Sequence, residues 1–318
     1  MFVSKKKTHR VSALVLTLGL SGAGAAQALP VYQDDDTRLD LYGRIHLTMN
    51  DVDGETYMSQ SQSRIGINAR REINDKVVGY ARAEFRFVAN DRNEAKPNVI
   101  SDIRNTYLGM HIKDIGDVKA GNFSSIYYTN LSKVINVRQS IPWRAFAKTT
   151  TRAAGNSISF DSSDFSGFRF GVAHKFNNEE DDEADAGNTM GYLSYQVGKV
   201  RLSAGYDQAE DDDDSLFGAS ITYDVLPELS LRGLYEHQGD MRHYGVATVF
   251  DYSQGEIYSN ASYMENDSLD QSDIQYLGGV SYRLARQMLV YFEYTNSSRT
   301  EINAIDESWG AVGFRYDF

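Results

Sequence analysis

From about residue 38 onward, apolar and polar residues alternate one for one in segment after segment, and a period of two excludes most folds. In LDLYGRIHLTM, Leu39, Leu41, Ile45, Leu47 and Met49 share one face, while Asp40, Tyr42, Arg44, His46 and Thr48 share the other. RIGINAR sets Ile65, Ile67 and Ala69 against Arg64, Asn68 and Arg70, and VRLSAGYD sets Val200, Leu202, Ala204 and Tyr206 against Arg201, Ser203 and Asp207. MLVYFEYT repeats the pattern, with Met288, Val290, Phe292 and Tyr294 opposite Tyr291, Glu293 and Thr295. Successive side chains of a strand point to opposite faces, whereas a helix repeats every 3.6 residues. The chain therefore reads as all-β. About sixteen segments can be placed, beginning near residues 38, 62, 77, 103, 117, 156, 167, 189, 200, 215, 228, 241, 254, 273, 287 and 307. Each is close to the roughly ten residues that a tilted membrane strand needs.

The connections alternate in length. IND, KDIG, DSSDFSG, VGK, DVLPE, DYSQG and RLA are short, whereas Asn50–Ser61, Ala89–Asp102, Ser124–Gly155, Asn177–Asn188 and Ser297–Asp306 are long. That rhythm fits a transmembrane barrel with tight turns on one side of the membrane and longer loops on the other. Pro97, Pro142 and Pro227 fall in connections and Pro30 precedes the first strand, as continuous ladders require. The expectation is a closed antiparallel β-barrel of 16 strands.

Composition agrees with export to a membrane. Lys5, Lys6, Lys7 and Arg10 precede an apolar run from Val11 to Leu20, and Ala26-Gln27-Ala28 has the small-x-small form of a signal-peptide cleavage site. Residues 1–28 are thus expected to be a signal peptide and 29–318 the barrel domain. The apolar run is too short for a retained helical anchor. Removing its four basic residues leaves 28 Lys+Arg against 44 Asp+Glu, a formal charge of −16 in place of −12. Such acidity argues against nucleic acid as a partner. The absence of cysteine removes disulfides and thiolate chemistry. Mean hydropathy is only −0.46, which would suggest a soluble protein. In a barrel, however, only alternate residues meet lipid.

The last strand, SWGAVGFRYDF, ends on an aromatic residue. An open sheet edge in lipid would leave backbone groups unsatisfied, so the last strand must pair with the first. Phe314, Tyr316 and Phe318 are then expected on the lipid face of the closing strand. Together with the leader, DLYGR, INDKVVGYARAEF, YLGMHIKDIGDVKAGNF and RAAGNSISFDSSDFSGFRFGV, this strand resembles the general trimeric porins of Gram-negative bacteria. The resemblance covers essentially the whole mature chain. It implies an outer-membrane channel for passive diffusion of small hydrophilic solutes and ions. As partners it implies two further copies in a homotrimer, outer-membrane lipid and lipopolysaccharide, and the barrel-assembly machinery that reads the terminal Phe.

In that family the third loop folds inward and narrows the pore, which the resemblance assigns to the longest connection, about 124–155. It also assigns a basic ladder on the wall to Arg44, Arg64, Arg104 and Arg152. Arg44 and Arg64 lie on the polar parity of their strands, but Arg104 shares parity with Leu108 and Met110. Enteric relatives carry acidic residues on this loop. Here the loop has no Asp or Glu and instead carries Lys133, Arg138, Arg144, Lys148 and Arg152. Basic groups on both sides of a constriction favour anions. The acidic runs Glu179–Asp185 and Glu210–Asp214 act the other way from outer loops, at a distance where salt screens them. The alternatives are a substrate-specific porin, for which Tyr127, Tyr128, Trp143 and Phe146 offer aromatic surface, a barrel-embedded hydrolase, and a soluble β-sandwich. No cofactor or metal is expected: Glu236, His237 and His243 straddle a predicted turn and lack metal-ligand spacing.

Overall fold

A computed structural model describes residues 28–60, 62–90, 100–141, 154–176, 187–208, 214–298 and 308–318. Its strands are β1 (Leu29–Gln33), β2 (Thr37–Val52), β3 (Glu55–Gln60), β4 (Arg64–Asn74), β5 (Val77–Phe87), β6 (Ile100–Ile112), β7 (Gly116–Phe123), β8 (Ala154–Ser162) and β9 (Phe168–Lys175). They continue as β10 (Thr189–Val197), β11 (Val200–Asp207), β12 (Leu216–Leu226), β13 (Leu229–Gln238), β14 (Met241–Asp251), β15 (Gly255–Asn266), β16 (Gln271–Ala285), β17 (Met288–Ser297) and β18 (Ser308–Asp317). One short helix, α1 (Ile126–Asn130), and a 3-10 turn over Ser132–Ile135 follow β7.

All eighteen segments belong to one antiparallel sheet that closes on itself, with Trp309–Asp317 running against Val52–Arg44. They occupy sixteen positions around the barrel. Both β3 and β4 lie along β2, the first beside Leu47–Val52 and the second beside Thr37–Arg44. On the opposite side of β2, β1 pairs with Arg38–Leu41 and so continues the position of β18.

The expected parity is present along each wall. Ile45 and Met49 are exposed, whereas the alternate residues His46, Thr48 and Asn50 are buried. On β18, Val312, Phe314 and Tyr316 face outward while Ala311, Arg315 and Asp317 are buried. Covered residues are the polar ones, the reverse of a soluble protein, because the outer solvent is lipid.

Besides Pro30, which lies inside β1 at a register shift rather than ahead of the first strand, two local features depart from the sequence expectation. Asn50–Ser61 is not a long loop: β2 runs to Val52, turns at Asp53-Gly54 and returns as β3. Both turn residues have positive φ, 49° and 88°, the backbone that a two-residue hairpin turn requires. The second is a β-bulge. Glu84 pairs with Asn105 but Phe85 pairs with Ile103, leaving Arg104 as the extra residue. Parity reverses at that point, so Arg104 turns inward although Leu108 and Met110 point outward.

Inward tyrosine rings lie flat across glycines of the neighbouring strand: Tyr42 over Gly66, Tyr80 over Gly109, Tyr192 over Gly171, Tyr258 over Gly279 and Tyr291 over Gly313. A Cβ at any of these glycines would come closer than 3.0 Å to the ring, so the ring occupies the missing side chain's place. On the outer face, the Phe318 ring covers Gly43 in the same way. Its backbone exchanges two hydrogen bonds with Gly43, at 2.8 and 3.0 Å, which ties down the carboxyl terminus.

A Gly313→Ala variant should lose about 1–3 kcal/mol through overpacking. The temperature at which the folded barrel shifts to unfolded mobility on a gel should fall accordingly. Gly278, with nothing within 4 Å of an added Cβ, is the control. Gly278→Ala should leave that temperature unchanged or raise it, by up to about 1 kcal/mol of stability.

Candidate functional site

After Phe123 the chain leaves the wall. Ser125 caps α1 by accepting from the Tyr128 amide at 3.2 Å, and the short helix buries Ile126, Tyr127 and Tyr128. From here to Ile141 the segment packs on inward-facing residues of the far wall, so the third connection lies within the barrel as far as it is described. Ile126, Tyr127 and Leu131 join a cluster with Met190, Tyr192, Leu216 and Met264, and Ile135, Val137 and Ile141 join another with Leu234, Ala247, Tyr258 and Leu277. Three wall glycines leave room for the approach: Leu131 lies against Gly205, Tyr127 against Gly218 and Ile135 against Gly245.

Two buried carboxylates hold the segment. Glu236 accepts from the Tyr127 hydroxyl at 3.2 Å and from Ser132 Oγ, and its other oxygen pairs with His243 Nδ1 at 3.1 Å. Burial first, and Glu236 second, push the Tyr127 hydroxyl pKa up, so it remains a donor. Glu293 accepts from the amides of Gln139, Ser140 (2.9 Å) and Ile141 (3.2 Å), from Ser140 Oγ at 3.0 Å and from Tyr258 at 2.9 Å. The Glu236–His243 pair serves as a loop anchor. No cluster of metal-ligating side chains occurs among the described residues.

Across the lumen stands a basic wall. Arg64, Arg82 and Arg104 converge on Glu84, which is fully buried, at 3.5, 2.8 and 3.0 Å. Asn105 donates to the same carboxylate at 2.8 Å, and the Arg82 guanidinium lies 4.9 Å from the Tyr42 ring centre. Beside this group, Asp317 accepts from Arg44 at 2.5 Å and from Arg315 at 2.9 Å. Five guanidinium groups thus share two carboxylates. Arginine stays charged here because its guanidinium is weakly hydrated and very basic.

Of the residues singled out from sequence, Arg44, Arg64 and Arg104 meet on this wall. Lys133 is exposed on the 3-10 turn, and Arg138 is half-buried with Nε donating to Asn136 Oδ1 at 3.2 Å. Arg144, Lys148 and Arg152 lie outside the described residues. Phe314 and Tyr316 face outward, and the Phe318 ring closes over Gly43. Sequence reasoning missed Arg82, Glu84, Arg315 and Asp317. Parity marks all four as inward, but only strand register brings Glu84 to Arg64 and Asp317 to Arg44.

The Gram-negative porin profile matches residues 11–302. The chain belongs to the Gram-negative porin family. Outer membrane protein Omp-EA of Erwinia amylovora is 27% identical over 228 residues, which span 69% of this chain and only 54% of that protein. A monosaccharide porin of a Halomonas species is 22% identical over 298 residues, 82% of this chain and 80% of the relative. Salmonella typhi OmpF, solved with daunomycin, superposes with a TM-score of 0.76 at 19% identity over 90% of this chain and 99% of that one. An anion-selective porin from Comamonas acidovorans gives 0.72 at 16% over 89% and 100%. At such identities the solved structures speak for the fold. This porin is an outer-membrane barrel and a channel for passive diffusion.

Replacing Glu293 by Ala should release the loop. Each amide left without its acceptor costs about 1–3 kcal/mol. Trypsin added to the folded porin should then cut after the half-buried Arg138 faster than in the parent protein; equal rates in both would show that Glu293 does not anchor the loop.

Proposed function

We propose that this porin works as a general trimeric channel whose basic constriction favours small hydrophilic anions, with no catalytic role. The observation that carries the reading is the charge of the narrow zone. Around Glu84 and Asp317 gather Arg44, Arg64, Arg82, Arg104 and the less accessible Arg315. The loop from 124 to 155 contributes no acid, and Glu236 and Glu293, beneath it, are occupied by loop hydrogen bonds. A surplus of fixed positive charge raises the local concentration of anions. The acidic runs 179–185 and 210–213 fall outside the described residues, and at 0.15 M salt fields fall off within about 8 Å.

The outer face supports the trimer. Tyr206, Tyr235, Tyr244, Tyr263, Tyr276 and Tyr294 form an exposed tyrosine band over β11–β17. Aromatic residues of that kind sit at the lipid headgroups. The described outward positions of β2–β8 carry no tyrosine or tryptophan, and Ile45, Met49, Ile65, Ile67, Leu108 and Met110 stand there instead. Apolar surface without interfacial anchors suits contact with further copies. The signal peptide 1–28, contact with lipopolysaccharide, and recognition of the terminal Phe318 by the assembly machinery complete the reading. A substrate-specific porin is the second reading, favoured by the monosaccharide-porin relative. Against it, Tyr127 and Tyr128 are buried against the wall rather than lining a path.

The reversal potential of the purified protein in a planar bilayer under a KCl gradient tests this directly. An anion-directed value is expected, moving toward zero in an Arg64→Gln or Arg104→Gln variant. Absence of conductance steps would overturn the channel itself, and a cation-directed value would overturn the basic-constriction reading.

A further inference from the structure

The inward side chains of the closing strand do more than fill space. Starting from Arg44, Nε donates to Asp317 at 2.5 Å and a terminal nitrogen donates to Gln62 Oε1 at 3.3 Å. Gln62 Nε2 donates to the Gln139 carbonyl at 3.1 Å. The Gln139 side-chain carbonyl accepts from Arg315 at 2.7 Å, and Arg315 Nε donates to Asp317 at 2.9 Å. These five residues form a closed ring of hydrogen bonds. It joins β2, the connection between β3 and β4, the inward loop and β18, and it sits on the seam where the barrel closes.

We infer that Arg315 is a positioning residue that locks the constriction loop at Gln139 to the barrel's closing seam. Its guanidinium is only 8% exposed, so it offers permeating ions little direct contact. What it offers is a planar fork with one arm on the strand's own Asp317 and the other on the loop, a geometry that lysine cannot reproduce. Glu293 holds the backbone of the same loop residue from the adjacent strand. Gln139 is therefore fixed through its amide, its carbonyl and its side chain. The ring also orients Arg44, one of the ladder groups, so barrel closure, loop position and the direction of one pore charge become a single arrangement. A porin whose last strand is not fully docked would then have an unlatched loop.

The inference rests on the channel reading, and single-channel recording separates the two. If the parent protein shows no conductance steps, the channel reading fails before the latch is tested. Given a conducting parent, Arg315→Ala, Gln139→Ala and the double variant should show the same loss of the quiet open level, and the double should be no worse than either single, as coupled partners require. The population of the displaced-loop state should rise roughly tenfold or more, the ratio set by one lost charge-assisted hydrogen bond. Arg315→Lys should keep the parent reversal potential yet remain noisy. If Arg315→Ala shifts the reversal potential, Arg315→Lys restores it and Gln139→Ala stays quiet, Arg315 is a pore charge and the latch is overturned. Should the Arg315 variants fail to fold, Gln139→Ala, which leaves the wall intact, decides alone: a quiet channel overturns the inference.

Discussion

Closure of the sheet is the constraint on which the rest of this porin depends. In hydrocarbon an unpaired strand edge has no water to satisfy it, and each exposed backbone group costs several kcal/mol. The pairing of Trp309–Asp317 with Val52–Arg44 removes both edges at once. The chain reinforces that seam more than any periodic pattern demands. The Phe318 ring covers Gly43 outside, Tyr291 covers Gly313 inside, and Trp309 Nε1 donates to Asn50 Oδ1 at 3.0 Å.

With closure secured, the wall can be hydrophilic within. A closed ladder satisfies its own backbone, so inward side chains are free to serve the lumen, and glycine can appear wherever a neighbour needs space. Tyr42, Tyr80, Tyr192, Tyr258 and Tyr291 each lie over a glycine one strand away, which recovers packing where a side chain is missing. Gly205, Gly218 and Gly245 extend the device to the loop, whose Leu131, Tyr127 and Ile135 occupy the vacated space. A barrel of this width would otherwise be a plain tube. The loop is held in it by two carboxylates whose own burial is compensated by hydroxyl and amide donors.

Those two carboxylates also explain how a chain with a formal charge of −12 can present a basic constriction. Glu236 and Glu293 are turned toward loop donors, while Glu84 and Asp317 bind only part of the guanidinium charge that surrounds them. Net charge is a property of the whole chain. The field in the narrow zone depends on which groups register places there.

The sequence by itself determined the fold class, the sixteen strand positions to within about three residues, the inward and outward faces, and the inward orientation of Arg44 and Arg64, because a strand's period of two is written in local composition. The Asp53-Gly54 turn was also legible as a dipeptide signal, although the surrounding residues read as a loop. Tertiary structure decided what periodicity cannot encode. The bulge at Arg104 reversed the parity by one residue, and the register across β4, β5 and β6 assembled three arginines around Glu84. The loop's docking made Glu236, with His243 beside it, an anchor, a role that no local spacing marks. Arg315 and Asp317 read as spacers between the aromatics of the last strand, and only closure brought them to Arg44 and Gln139, more than 170 residues away along the chain. Contacts between strands distant in sequence depend on register and closure, and neither leaves a periodic trace in the residues that it joins.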